Sequence, residues 1–311
     1  MKISLPVRIS ANVLLPLLGQ LGKPLDAGEE VVVDFASLRH VTPAALVALV
    51  ATVIRWRREK QPVEFRGMEQ CAITSYLQRM DLFKTCGIDR PENFTRHDAT
   101  GRFVPVRLID HEVDAMGTAM ALCLAPGGEE YGHEMSGVYD MAWYVLTEMA
   151  NNVRQHSGGL GYASAQVTRN EGLVRLALAD NGKGILGSFR EAGLAWSEAM
   201  TDTEAIQKAL EPRISSKGTP TNEGVGLTLV AELAELAQAW LLIVSGRGVV
   251  RVIPEQGRIG SVLPHDGVFP GTLVGLTFRQ NAVRDFALLL HNAKIHAGLL
   301  PDVAGGANFR T

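Results

Sequence analysis

The chain has 311 residues and a mass of 33.6 kDa, which at roughly 150 residues per domain is enough for about two domains with cores of their own. Hydrophobic residues make up 46% and charged residues 20%, a globular composition that argues against a disordered chain. Thirty Lys and Arg stand against 33 Asp and Glu, a net charge of −3, so no bulk attraction to nucleic acid or to an anionic membrane is expected. Cys71, Cys86 and Cys123 are spaced too widely for a zinc knuckle or a disulfide framework and read as small buried hydrophobes. The longest strongly apolar stretch, 41–54, falls short of the roughly 20 residues that span a bilayer. Pro6 and Pro16 interrupt any leader-like apolar run. The expectation is a soluble, cytoplasmic protein.

In chain order, Glu30–Phe35 is a β-branched run of the kind a buried strand uses. Pro43 then suits the first turn of a helix running from Ala44 to about Arg58. Pro62–Phe65 predicts a strand and Ala72–Phe83 a helix, together a small layered α/β unit. Between Gly87 and Arg102 the pattern lapses into polar, turn-rich sequence, which predicts a boundary. Beyond it come a strand at Phe103–Ile109 and helices over about 112–124 and 134–156. Strands follow near 162–168 and 173–179, then a long polar stretch to Glu223. A helix near 225–239, strands near 241–245, 249–253 and 272–278, and a helical stretch over 282–297 complete the reading.

Three motifs carry chemistry. On the helix ending at His156, Glu148, Asn152 and His156 recur at four-residue spacing and share a face, away from the apolar stripe of Leu146, Met149, Ala150 and Val153. A carboxylate and a carboxamide one turn apart suit a hard divalent cation; alone, they also describe a solvated helix face. Asp180-Asn181-Gly182-Lys183-Gly184 follows a strand directly, so Asp180 can accept from an exocyclic amine while the glycines admit a flat ring. Gly182, Gly184 and Gly187 also spell G-x-G-x-x-G. A dinucleotide fold, however, needs a helix immediately after the turn and then a strand, and the sequence here predicts a long polar run. No Walker motif occurs. Finally, Gly224-Val225-Gly226-Leu227 enters a helix, where free N–H groups and the helix dipole favour phosphate. The segment before it, 214–223, is long for a connection and has the length of a lid.

Taken in order, E-x-x-x-N, two strands, D-x-G-x-G, a polar segment and G-x-G-L resemble the GHKL (Bergerat) ATP-binding fold, whose members include DNA gyrase, heat-shock chaperones, histidine kinases and the anti-sigma-factor serine kinases. The resemblance covers about 101–281 and takes in Thr272, where the family places a Thr near the adenine. It implies an α/β sandwich with a mixed sheet. By it, Asn152 coordinates Mg²⁺ (Asn151 is the neighbouring alternative) and Glu148 orients or deprotonates the attacking group. Asp180 reads the adenine amino group with Gly182 and Gly184 shaping the pocket, while Gly224, Gly226, Leu227 and Lys217 lie with the phosphates. One departure is Gln155, where histidine kinases and their relatives often carry Lys.

Residues 1–97, with Val31–Phe35, Leu38 and Val41–Leu46, resemble a STAS domain, the fold of anti-sigma-factor antagonists. Antagonists switched by phosphorylation carry a Ser at the start of the following helix; this chain has Pro43 there and Thr42 one before, a hydroxyl equally suited to capping the helix. The implied organisation is a STAS-like unit over 1–97, a GHKL unit over 101–281 and a helical tail over 282–311. The implied function is ATP- and Mg²⁺-dependent phosphorylation of a Ser or Thr on a regulatory protein partner. The alternative is a GHKL ATPase or ATP-sensing clamp whose closure controls domain or subunit association, with a second copy of the chain as a further candidate partner. A sensor histidine kinase is disfavoured, since Arg39-His40-Val41-Thr42-Pro43 lacks the phosphoacceptor spacing.

Overall fold

The computed structural model describes residues 1–214 and 224–301. Lys217 and most of the expected lid, in 215–223, lie outside the described residues, as do 302–311. The first hundred residues form β1 (Lys2–Ser4), β2 (Arg8–Ile9), α1 (Ala11–Leu21), β3 (Val31–Asp34), β4 (His40–Val41), α2 (Pro43–Arg58), β5 (Val63–Arg66), α3 (Thr74–Arg79) and α4 (Leu82–Thr85). β1, β3 and β5 make a parallel sheet in the order β1-β3-β5, and β2 pairs with β4. Pro43 opens α2, and Thr42 sits at its N-cap without a side-chain capping bond. The single helix expected over 72–83 is two, broken at Asp81, whose φ of 55° lies in the left-handed region.

The remainder forms β6 (Phe103–Leu108), α5 (Val113–Leu124), α6 (Ser136–Asn152), β7 (Gly161–Thr168), β8 (Leu173–Asp180), α7 (Gly184–Glu191), α8 (Asp202–Ala209), α9 (Gly226–Leu236), β9 (Trp240–Gly246), β10 (Gly248–Ile253), β11 (Gly257–Val262), β12 (Phe269–Arg279) and α10 (Phe286–His296). Seven strands join in the order β11-β10-β9-β12-β8-β7-β6. The chain is thus α/β, but the larger sheet is antiparallel at every pair rather than mixed. The reason is β12: β8 and β9 run the same way, and β12 enters between them antiparallel to both, so they never bond directly. The helix expected to run to His156 stays α-helical only to Asn152 and finishes in a π turn, Val153–Ser157. π turns of this kind are rare and tend to sit at functional sites.

β8 shows how both faces of this sheet are covered. Its residues alternate, as strand geometry requires. Val174, Leu176 and Leu178 enter one core with residues of α5, α6, α9 and α10. Ala177 and Ala179 face the other way, into a core built mainly by the first hundred residues. Alanines on that face let α2 lie close against β7, β8 and β12; a methyl added at Gly275 would touch the Ala44 side chain at 3.4 Å. α2 accordingly buries nearly every residue from Ala45 to Val53, as a helix wedged between two layers must. The 88–98 stretch carries neither helix nor strand, yet the apolar packing is continuous across it. The segment from residue 282 is likewise built in: Phe286, Ala293 and Ala297 belong to the core beneath α6 and α9. Among the described residues no helix is long and apolar enough to cross a membrane.

Candidate functional site

β8 delivers Asp180 to the middle of the large sheet, beside the start of β12. Its side chain is 3% exposed. The Ser157 hydroxyl donates to Oδ1 at 2.6 Å and the Gly182 N–H donates to the same oxygen at 2.8 Å. Thr272 N–H donates to Oδ2 at 3.1 Å. Burial pushes the carboxyl up to about 6, against the downward pull of those three donors.

Asp180 lines a cleft whose non-atom space, open solvent included, is about 850 Å³. One wall is the end of α6 and the π turn: Met149, Asn152, Val153, His156 and Ser157. Opposite lie Gly184, Ile185, Ser188 and Phe189 of α7. Gly224, Gly226 and Leu227 bring the start of α9, and Thr272 and Val274 the floor. The structure therefore gathers residues from all three sequence motifs around one cavity.

Glu148 stands at the α9 end. A methyl added at Gly226 would lie 2.1 Å from its Oε2, so the Glu148 side chain would have to turn aside to admit any larger residue at the helix start. Burial raises the carboxyl of Glu148 above the usual range. The close fit at Gly182 is against backbone, with a would-be methyl 2.1 Å from the Ser157 carbonyl oxygen and 2.2 Å from Oγ, so only glycine fits there without a backbone shift. Gly182→Ala is expected to cost about 2 kcal/mol by forcing these backbones apart, read as a lowered midpoint in chemical denaturation.

Sequence reasoning missed two hydroxyls. Ser157 has its partner 23 residues away, and only its place before Gly158-Gly159, a chain reversal, hinted at a role. Ser245, inside an apolar strand, accepts from Ile185 N–H at 2.8 Å and donates to the Gly271 carbonyl at 3.0 Å, tying α7 to β12. α7 itself was not expected. It begins at Gly184, straight after the turn, so the absence of a helix there is no argument against a dinucleotide fold. The antiparallel neighbours of β8 are, since that fold requires parallel strands around its glycine turn.

Asn181, next to Asp180, turns the other way. Its Oδ1 accepts Leu160 N–H at 2.9 Å and the Arg58 guanidinium at 3.5 Å, and its Nδ2 donates to the Ala51 carbonyl of α2 at 3.4 Å.

For a divalent cation, the described residues hold no cluster of three or more His, Cys, Asp or Glu able to bind one unaided. A Mg²⁺ in this cleft would take the carboxamide oxygen of Asn152, on the cleft wall at the end of α6, and would keep several of its waters. No family profile, curated protein or solved structure matches this chain.

Proposed function

We propose that the cleft binds ATP with Mg²⁺ and that the chain is a regulatory protein kinase of the anti-sigma-factor type, a GHKL-like unit joined to a STAS-like one and acting on a Ser or Thr of a cytoplasmic protein partner. The observation that carries this reading is the bonding of Asp180, three of whose four acceptor positions are filled from within the protein. Two donors occupy Oδ1 and one occupies Oδ2, which leaves one acceptor position on a carboxylate that lines the cleft. That position suits the exocyclic amine of adenine. Across the cleft, the start of α9 offers N–H groups and a positive dipole end to phosphates, with Asn152 at hand for the cation. Glu148, its carboxyl raised by burial, is suited to take the proton of an attacking hydroxyl.

A second reading, an ATPase or ATP-sensing clamp, draws on Asn181, which ties the base end of the cleft to α2. Incubation with γ-labelled ATP and Mg²⁺, with and without a candidate partner, separates the two. Label on the partner supports the kinase, free phosphate the ATPase, and bound but unreacted nucleotide the sensor. If no adenine nucleotide at millimolar concentration raises the melting temperature, the nucleotide reading itself fails.

A further inference from the structure

Ser157 closes the π turn and is 6% exposed. Its Oγ accepts Gly159 N–H at 3.0 Å, so its own proton is directed to Asp180 Oδ1. Its carbonyl accepts Lys183 N–H at 3.0 Å, and Gly182 packs against it. The hydroxyl is thus fixed from both sides of the turn. With Oδ1 filled by two donors, any proton that Asp180 takes up must sit on Oδ2. There it converts the open acceptor into a donor, and the group the cleft selects changes from a purine 6-amino to a purine 6-oxo.

We propose that Ser157 is a positioning residue that sets base selectivity: its hydroxyl holds Asp180 as an anionic acceptor for an amino group, and without it the carboxyl becomes a donor that takes a 6-oxo purine. This rests on the purine-nucleotide reading above. Asp180 is buried enough for the exchange to fall in an accessible range, its carboxyl standing at about 6 with burial as the first cause and hydrogen bonds, not charges, as the others. Among the described residues, the charged and titratable groups around it are His156 on the cleft wall, Lys183 of its own loop, paired with Glu191, Arg58 of α2, bonded to Asn181, and Glu148 at the far end against Gly226. β12 brings the Thr272 N–H and hydroxyl, and β9 the Ser245 hydroxyl, 3.4 Å from that of Thr272.

The test compares dissociation constants for Mg·ATP and for Mg·inosine triphosphate, which differ at the 6-substituent, by calorimetry from about pH 5.5 to about pH 8, a span that brackets the carboxyl. Wild type is expected to prefer ATP at the upper end and to lose that preference as pH falls through about 6. Ser157→Ala is expected to lower the ATP preference about tenfold at pH 7, the worth of one hydrogen bond to a charged group, and Ser157→Thr to restore it. A Ser157→Ala ratio equal to wild type at every pH, or equal weakening of both nucleotides, overturns the inference. Should that variant not fold, a flat wild-type ratio across the range overturns it as well. Failure of wild type to bind either nucleotide overturns the purine reading instead.

Discussion

Replacing Asp180 by Ala is expected to weaken ATP binding by at least about a hundredfold, to the point where calorimetry registers no heat. The variant removes the one cleft-facing acceptor at the base end and also leaves the Ser157 hydroxyl and the Gly182 and Thr272 N–H groups without their acceptor. Sites built to bond a polar group discriminate strongly when that bond is lost, because buried partners go unpaired. Asp180→Asn is the sharper control. Its carbonyl oxygen keeps Ser157 and Gly182 satisfied, while its amide N–H₂ stands where Oδ2 was, presenting a donor both to the cleft and to the Thr272 N–H. Loss of ATP binding in a folded Asn variant therefore reports the reversal of Oδ2 from acceptor to donor, with the Thr272 N–H losing its partner as well. Unchanged affinity in either variant removes the pocket assignment.

Glu148→Ala is expected to retain ATP affinity within a fewfold and to lose turnover by about a hundredfold or more, the usual contribution of a general base. Burial raises this carboxyl, so wild-type turnover is expected to fall as pH drops through a range above that of an exposed Glu. The sign for stability is the reverse of the usual acidic residue. With its folded-state value raised, Glu148 weighs against folding once pH exceeds the unfolded value, so the Ala variant keeps its stability at neutral pH. Equal loss of binding and turnover in this variant would assign Glu148 to ligand positioning alone.

Much of this architecture was legible because it is written in local pattern. Val31–Asp34 is apolar and β-branched, β8 is mostly apolar through Leu and Ala, Pro43 marks the first turn of α2, and Gly226 opens α9. Asp180 was legible as an acid ending such a strand. β11 was not, since Gly257–Val262 mixes glycines and polar residues on an edge with alternating exposure. α8 carried a readable signal that the polar composition around it obscured, the Thr201–Glu204 capping box. The position of α2 had a clue of its own: a helix apolar on all sides needs two layers to cover it. Ser157 had only its place before Gly158-Gly159, because its meaning depends on a partner brought near by the sheet rather than by the sequence.

The place of β12 has a consequence for the order in which the molecule can assemble. This strand, which follows every other strand of the sheet in chain order, occupies the centre of the seven-stranded sheet and supplies the Thr272 N–H to Asp180. Until about residue 279 has been made, β8 and β9 have no shared neighbour, and the apolar face of α2 lacks part of the surface that covers it. Pairings of such sequence separation are slow to form, and the faces awaiting them are exposed meanwhile. The cleft lined by the three motifs is thus completed only when β12 joins β8 and β9.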